Sequence, residues 1–366
     1  MRRARWITPW AESLEKASIY HCISRVVDGR FAFGAEEKEH FRMLMRMMEN
    51  FTGCRVLSYC LMCNHFHILL EVPPRAAGLE DVSDEVFLRR LSSLYSEAFV
   101  GDIAALLHDA RHEGGLEGGN PERALEIRER FDYRMHDLGE FMKGLLQRFT
   151  QWFNGRHRRK GRLWEDRFKS VIVESGTAAR TMAAYIDLNP VRAGMIEDPA
   201  DYRWSSYGEA VGGGRKGNGK KAREGLVRAI TSDRSCGESG FDASQWKEAS
   251  RRYRRLLGMA LERKGLSAKV TTSGKAQMAK NDAEAMESGD NQTVLPDLRM
   301  AGMLRRRVRY FSDGAVIGSK EFVDQAFTKS RERFPGNRKD GARRMRGSGK
   351  AAAGTLWSLR DLRVGV

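Results

Sequence analysis

The alternation of hydrophobic and polar positions in the first half of the chain predicts a mixture of strands and helices. Stretches with a period of two, or with continuous apolar character, predict four strands, at 17–27, 55–61, 65–72 and 168–173. Apolar residues spaced three and four apart predict three helices, at 36–51, from 137 onward and at 178–189. Their order along the chain predicts a ferredoxin-like α+β domain, an antiparallel sheet with helices packed on it.

Capping residues mark the boundaries of two of these helices. Asp137, followed three residues later by Glu140, resembles a capping box at the start of a helix. Thr177 is expected to cap the last helix. Pro190 is expected to stop that helix, because proline lacks the backbone N–H that a helix interior requires.

Shifts in composition divide the rest of the chain. Residues 75–135 are mildly acidic and rich in glycine pairs, and they predict a helical insertion within a domain that covers 1–208. Residues 209–300 predict a Gly/Lys-rich linker and a basic helical region, partly disordered between 268 and 300. Residues 301–366 form a small basic C-terminal segment with enough apolar side chains for a small core.

The net charge indicates the class of partner. The chain of 366 residues carries 64 Lys and Arg against 48 Asp and Glu, a net charge of +16. In residues 301–366 the excess is +10, from 16 basic minus 6 acidic side chains. Such a charge favours a polyanion, most often nucleic acid, over an anionic membrane surface or an idle solvated tail.

The distribution of apolar residues indicates where in the cell the protein is expected. The sequence contains no run of 18 apolar residues, which predicts that the chain does not span a membrane. The basic start lacks the apolar stretch of a signal peptide, and the five cysteines are few and odd in number. The sequence therefore predicts a cytoplasmic, nucleoid-associated protein.

Two histidines in one predicted strand could bind a metal. His65 and His67 are two residues apart, so their side chains point to the same face of the strand. Two neutral imidazoles on one face can hold one divalent ion. A pair of packed or surface histidines with no metal is the alternative.

Nearby cysteines and carboxylates offer other ligand sets. Cys60 and Cys63 together with the two histidines could bind zinc, although four ligands within eight residues would be cramped. Glu71, Glu165 and Asp187 could each supply a carboxylate ligand, but solvated charge is the favoured interpretation for all three.

The last predicted helix could provide a nucleophile and a third ligand. Tyr185 and Asn189 are four residues apart and therefore share a helix face. A tyrosine phenol can attack phosphorus, and its ordinary pKa near 10 means that it needs activation. Two imidazoles and an amide oxygen suit Mg²⁺ or Mn²⁺. The alternatives are an aromatic anchor for Tyr185 and a helix-end cap for Asn189.

A run of cations beside aromatic residues predicts contact with DNA. Cations can follow phosphates while aromatic rings stack on unpaired bases. The run consists of Arg156, Arg158, Arg159, Lys160 and Arg162. Arg192 could reach a phosphate near the tyrosine or could simply favour a helix C-terminus, and the sequence leaves both open.

The motifs together resemble a known family. Residues 64–67, Asn-His-Phe-His, resemble the His-hydrophobic-His motif of HUH endonucleases. Residues 185–194 and 201–206, with the preceding 161–168, resemble the REP-associated tyrosine transposases, single-tyrosine relatives of the small insertion-sequence transposases. The resemblance covers residues 17–208 apart from the insertion. The family usually has proline where this chain has Cys63.

The resemblance implies a reaction and a set of roles. His65 and His67 match the metal-binding pair, and Asn189 lies where the family places the third ligand. Tyr185 matches the nucleophile, which forms a 5′-phosphotyrosine and leaves a free 3′-OH. The implied partner is single-stranded or hairpin DNA at palindromic repeats, cleaved with Mg²⁺ or Mn²⁺ in DNA transposition by a monomer or homodimer. A DNA-binding regulator that kept the fold and lost the chemistry is the alternative.

Overall fold

A seven-stranded sheet organises the chain. The computed structural model describes residues 16–74, 82–112, 119–212, 219–231, 243–261, 300–304, 310–345 and 355–360. The strands are β1 Ser18–Arg25, β2 Arg55–Leu61, β3 His65–Val72, β4 Lys169–Val173, β5 Val316–Gly318, β6 Arg343–Arg344 and β7 Trp357–Leu359. Their order across the sheet is β2-β3-β1-β4-β5-β7-β6, and only β4 and β5 pair in parallel.

Helices cover both faces of this sheet. Those described are α1 Ala35–Thr52, α2 Asp84–Leu91, α3 Glu97–His112, α4 Pro121–Asp132, α5 Leu138–Arg156, α6 Thr177–Asp187, α7 Asn189–Arg192, α8 Ser206–Gly212, α9 Lys220–Thr231, α10 Ala243–Leu261, α11 Tyr310–Asp313 and α12 Lys320–Lys329. The predicted α+β class is confirmed. The first four strands have the order 2-3-1-4 of a ferredoxin-like sheet, and helices α2 to α4 occupy the predicted insertion.

One face of the sheet is apolar and aromatic, and we call it the Phe-rich face. It is formed by alternate residues of β1 and β3, namely Tyr20, Cys22, Phe66, Ile68 and Leu70. Helices α1 and α5 pack on it, and the helical insertion extends the same core. The Phe66 ring lies 4.9 Å from that of Phe41 and 5.5 Å from that of Trp164.

The opposite face carries polar side chains, and we call it the histidine face. It is formed by the intervening residues of the same strands, His21, His65, His67, Leu69 and Glu71. Helices α6, α8, α9 and α10 cover it. Helix α9 lies so close to β2 that a Cβ on Gly225 would be only 2.3 Å from the carbonyl oxygen of Val56. Glycine, which has no Cβ, permits this approach.

The C-terminal residues extend the sheet beyond β4. Val316 pairs with Ile172, and β5 in turn pairs with β7. Phe311 and Ile317 join the core of the histidine face, whereas Val323 joins that of the Phe-rich face. The division of the chain at residues 208 and 300 stays a prediction. Disorder is predicted between residues 268 and 300, and of these only Met300 is among the residues that the structure describes.

The end of the last predicted helix differs from expectation. Gly176, with φ of 83°, occupies the N-cap position, so Thr177 is the first helical residue rather than the cap. Helix α6 ends at Asp187, and Asn189 begins the short helix α7 with Pro190 in its first turn. Proline fits there because the first residues of a helix need no N–H donor. Among the described helices none is long and apolar enough to cross a membrane.

Candidate active site

His65 and His67 lie on β3 and share the histidine face, as their spacing predicted. Their ring centroids are 5.1 Å apart and their planes are inclined at 82°. His67 is buried, whereas His65, the first residue of the strand, is half-buried. On β1, Ile23 lies opposite His67, and Arg25, the last residue of the strand, lies opposite His65. The more accessible histidine is therefore beside the C-terminal end of β1.

Asn64 determines which nitrogen of the His65 ring carries the proton. The Asn64 side-chain nitrogen donates to the Gly29 carbonyl at 2.9 Å, so its oxygen faces His65 Nδ1, 2.7 Å away. An amide oxygen can only accept, so His65 Nδ1 carries the proton. His65 Nε2 therefore keeps a free lone pair, as a metal ligand requires.

His21 on β1 completes a cluster of three imidazoles that sequence reasoning missed. Its Nε2 lies 2.9 Å from His67 Nδ1, and the two rings meet edge to edge with centroids 5.1 Å apart and planes inclined at 19°. Its Nδ1 lies 2.8 Å from the Phe311 carbonyl oxygen. The signal in the sequence was a histidine in an otherwise apolar strand, and only the pairing of β1 with β3 shows which residues it meets.

Burial keeps these rings uncharged. It lowers the pKa of His21 and of His65 to about 4, and the pKa of His67 well below 6.5. The nearby Arg25 adds to the effect at His65. Neutral imidazole is the form that binds metal ions, so no proton has to be displaced at neutral pH.

Tyr185 on α6 faces the same cluster. Its ring centroid lies 5.9 Å from that of His67 and 6.1 Å from that of His21, in both cases with the planes nearly perpendicular. The Phe311 ring stacks on the Tyr185 ring with a centroid distance of 4.6 Å. The structure thus brings the predicted nucleophile to the predicted metal-binding pair, and adds Phe311 as a cover.

The environment of Tyr185 keeps its phenol protonated. Burial raises the pKa of Tyr185, and the guanidinium of Arg192 and a hydrogen bond with Ser312 only partly oppose this. A phenol with a raised pKa is a weak nucleophile until a positive charge or a base acts on it. A role of Tyr185 as nucleophile would therefore require activation.

Arg192 is tied into this region by backbone carbonyls. Its guanidinium donates to the Tyr185 carbonyl at 3.0 Å and to the Leu304 carbonyl at 2.9 Å. It also lies 4.9 Å from the centre of the Tyr185 ring, and burial lowers its pKa to about 10. Arg192 holds α6 to the C-terminal segment in this structure, and its contact with DNA stays a prediction.

Asn189 lies at the start of α7, one turn beyond Tyr185. Its side-chain nitrogen donates to the Ile186 carbonyl at 3.2 Å. Among the described residues no hydrogen bond joins it to the histidines. The kink between α6 and α7 separates it from a regular helix face, and its role as third ligand stays a prediction.

Similarity to known proteins bears on the segment that carries the three histidines. Residues 15–83 match the family model described as "Transposase IS200 like". The chain is similar to the IS200-like transposases. The predicted resemblance is confirmed over this segment, which contains His21, His65 and His67, and the match supports a general role in DNA transposition.

A solved structure described as a REP-associated tyrosine transposase bound to a REP hairpin also matches the chain. The identity is 12%, the match covers 58% of this chain and 85% of that one, and the TM-score is 0.33. No curated protein matches the chain significantly. We call residues 15–83 the IS200-like segment.

Two carboxylates expected to be solvated are buried and paired instead. Glu71, at the end of the IS200-like segment's strand β3, forms an ion pair with Arg228 of α9. Asp187 accepts hydrogen bonds from the Tyr207 backbone at 3.0 Å and from the Tyr253 hydroxyl at 2.7 Å, and burial raises its pKa to about 7. Both carboxylates therefore already have partners within the protein.

The cysteines of the IS200-like segment do not join the histidines. The thiol of Cys60 contacts the sulfur of Met62 at 3.7 Å, and burial raises its pKa well above 9. The thiol of Cys63 contacts the ammonium of Lys38 at 3.7 Å. Within the described ranges no three His, Cys, Asp or Glu side chains form a metal-binding group. Both thiols therefore have contacts outside the histidine pair, and the zinc site stays an alternative.

The predicted cation run lies at the end of the sheet where β3 begins. The backbone N–H of Glu165 donates to the Arg25 carbonyl, and that of Val27 donates to the Leu163 carbonyl. Arg25 in turn lies opposite His65. This attachment ties residues 163–165, which directly follow the cations, to the strand residue that lies opposite the more accessible histidine.

Within this loop most of the cations are accessible. Arg156, Arg158, Lys160 and Arg162 are exposed. Arg156 pairs with Glu36 at 3.0 Å, and Arg159 donates to the Arg162 carbonyl at 3.0 Å. The loop therefore presents positive charge to solvent, but part of it is already used within the protein.

Proposed function

We propose that the chain is a metal-dependent DNA strand transferase that cleaves single-stranded or hairpin DNA through Tyr185. The observation that carries this proposal is the convergence of His65, His67 and Tyr185, which come from a strand and a helix more than 100 residues apart in the chain. The similarity of residues 15–83 to IS200-like transposases supports it.

The proposed reaction exchanges one phosphate ester for another. The Tyr185 oxygen attacks the phosphorus of the DNA backbone, and the bond from phosphorus to the 3′-oxygen breaks. The 5′-phosphate stays on the tyrosine, and the 3′-oxygen leaves as a hydroxyl. The proton that the phenol loses balances the one that the leaving oxygen gains, so no external water is consumed.

The residues of the site fit a hard or borderline divalent ion. His65 offers Nε2 because Asn64 occupies its Nδ1, and the Nδ1 of His67 is likewise occupied. With the Asn189 amide oxygen they would hold Mg²⁺ or Mn²⁺, and imidazole ligands favour Mn²⁺. Such an ion, when bound, polarises the scissile phosphate and stabilises the charge that develops on it.

DNA is the proposed partner, in the nucleoid of the cytoplasm. Arg25 lies opposite the accessible His65, and the exposed cations of residues 156–162 precede the segment that is bonded to Arg25. Phosphates on either side of the cut would lie against them, since cations position a nucleic-acid backbone without reading its sequence. The protein would act as a monomer or homodimer.

The test is a Tyr185→Phe protein incubated with end-labelled hairpin DNA and Mn²⁺. The covalent protein–DNA adduct should form with the unchanged protein and disappear with the variant, because phenylalanine has no oxygen to attack phosphorus. The exposed Tyr133 offers a matched control, and Tyr133→Phe should leave the adduct intact. An adduct that persists in Tyr185→Phe would overturn the assignment of the nucleophile.

A second candidate function is a DNA-binding regulator on the same fold. The stacking of Phe311 on Tyr185 and the raised pKa of the phenol favour it, because both hold the tyrosine in an unreactive state. Hairpin DNA that is bound by the protein but never cut, at any concentration of Mn²⁺ or Mg²⁺, would select this function.

A further inference from the structure

His21 is a buried imidazole for which the proposed reaction gives no role. It is 0% exposed, and both of its ring nitrogens make hydrogen bonds. One bond reaches His67 on the neighbouring strand, and the other reaches the Phe311 carbonyl, 290 residues away along the chain. A group with two such partners in a core transmits orientation from one partner to the other.

The partners determine where each proton lies. The Phe311 carbonyl can only accept, so His21 Nδ1 carries a proton and donates it. A neutral His21 then has a lone pair on Nε2, which must accept from His67 Nδ1. His67 therefore carries its proton on Nδ1, and its Nε2 keeps the lone pair. This is the same arrangement that Asn64 imposes on His65.

We propose that His21 is a positioning residue: it holds His67 in the tautomer that presents Nε2 to the metal, with the Phe311 carbonyl as its anchor. The proposal rests on the metal site proposed above. Hydrogen bonds of this kind set both the tautomer and the ring orientation of metal-binding histidines. The planes of the His21 and His67 rings are inclined at only 19°, close to the coplanar arrangement in which a ring N–H points at the lone pair of its acceptor.

The anchor gives the C-terminal segment a part in the site. Phe311 belongs to α11, which precedes strand β5, and its ring stacks on Tyr185 while its carbonyl binds His21. The same residue therefore contacts the proposed nucleophile and, through His21, one proposed metal ligand. The sequence from 17 to 208 does not contain this anchor.

Ring NMR on the full-length, metal-free protein, labelled with ¹⁵N-histidine, tests the proposal directly. In the unchanged protein the ¹⁵N shifts should show His21 and His67 both protonated on Nδ1. His67 protonated on Nε2 would overturn the proposal without any variant. This measurement needs no metal and no DNA, so its result does not depend on the proposed function.

Two substitutions separate positioning from packing. His21→Phe keeps a ring but leaves the His67 Nδ1–H without an acceptor, so His67 should populate both tautomers. His21→Gln offers an acceptor and a donor in place of the two ring nitrogens and should restore the single tautomer. His108→Gln, at an exposed histidine of α3, serves as the control.

Binding of Mn²⁺ alone, measured by electron paramagnetic resonance, gives the second readout. His21→Phe should weaken binding about 10- to 100-fold, the range typical for loss of such a hydrogen-bonding partner. His21→Gln should recover most of it. Unchanged Mn²⁺ affinity and a single His67 tautomer in a folded His21→Phe would overturn the proposal. Absence of Mn²⁺ binding by the unchanged protein would instead overturn the proposed metal site.

Discussion

The two faces of the sheet use the same strands for different purposes. On the Phe-rich face, alternate residues of β1 and β3 pack against α1 and α5 in a core of apolar and aromatic side chains. On the histidine face, the residues between them carry three imidazoles and a buried ion pair. The alternation of a strand thus separates the aromatic core from the proposed site by a single residue step.

Phe66 and His67 show this separation most directly. They are neighbours in β3 and both are buried, but they point to opposite faces. One contacts aromatic rings of α1 and the 157–168 region, and the other contacts His21, His65 and Tyr185. Substitutions at the two positions should therefore have different consequences.

The largest effect is expected from Phe66→Ala. Phe66 is 0% exposed, and its loss leaves a cavity between the sheet and α1. We expect the free energy of unfolding, measured by urea denaturation, to fall by about 3–5 kcal/mol. Phe31→Ala, at a phenylalanine that is 84% exposed, should change it by less than about 0.5 kcal/mol. Equal losses at the two positions would contradict the apolar role of this face.

On the histidine face, His67→Ala should reduce DNA cleavage rather than stability. We expect DNA cleavage with Mn²⁺ to fall at least about 100-fold, close to 2.7 kcal/mol, because one metal ligand is lost. DNA binding without metal should be largely retained, as a gel-shift assay would show. His112→Ala, at an exposed histidine of α3, provides the comparison. Cleavage that survives His67→Ala would remove the distinction between the faces.

A buried histidine on the Phe-rich side should affect stability alone. His136 follows Met135 of that core, lies 3.2 Å from the Pro74 carbonyl, and has its pKa lowered by burial to about 4. The folded protein therefore binds fewer protons than the unfolded chain between about pH 6.5 and pH 4, so stability is present above this window and is lost as the pH falls through it.

The measurement compares the unchanged protein with His136→Asn, which tolerates the positive φ of 49° at this position. From about pH 7.5 to about pH 5, the free energy of unfolding of the unchanged protein should fall by about 2 kcal/mol more than that of the variant. Cleavage by the folded variant should be unaffected. Parallel pH curves would show that His136 does not titrate in this way.

The smallest effect is expected from the exposed cations. Replacing both Lys160 and Arg162 by glutamine should weaken DNA binding by about 1 kcal/mol and reduce the salt slope of log K by about 2. Titration of a fluorescent hairpin at several salt concentrations would measure it. The single change Arg89→Gln on α2, at an exposed arginine of the insertion, should leave the slope unchanged. An unaltered slope in the double variant would place the DNA elsewhere.

Elements with a strong local pattern were predictable from sequence. Strands β2 and β3 begin and end at the predicted residues, because an alternating or apolar run is bounded by a turn at Cys63 and Asn64. Helix α5 begins after Asp137, whose side chain accepts from the Glu140 backbone N–H, one of the two hydrogen bonds of a capping box. In each case the residues that determine the structure are close together in the chain.

What depends on contacts between distant segments was not predictable. Strands β5, β6 and β7 have only two or three residues each, too few to give a period. Their place beside β4 follows from tertiary pairing, as does the meeting of His21 with His67. The burial of Glu71 was missed because its partner, Arg228, lies 157 residues away. A regular helix through Leu188 would place Asn189 on the same face as Tyr185. Helix α6 ends at Asp187 instead, and Asn189 begins helix α7.

The hydrogen bond from His21 to Phe311 also orders events during synthesis of the protein. A ribosome must add 290 residues after His21 before the carbonyl that this ring binds exists. The IS200-like segment can fold much earlier, since its strands are adjacent in the chain. A nascent chain would therefore carry an unanchored His21 while still attached to the ribosome. Until residue 311 has been added, His67 would therefore lack the neighbour whose orientation the Phe311 carbonyl fixes.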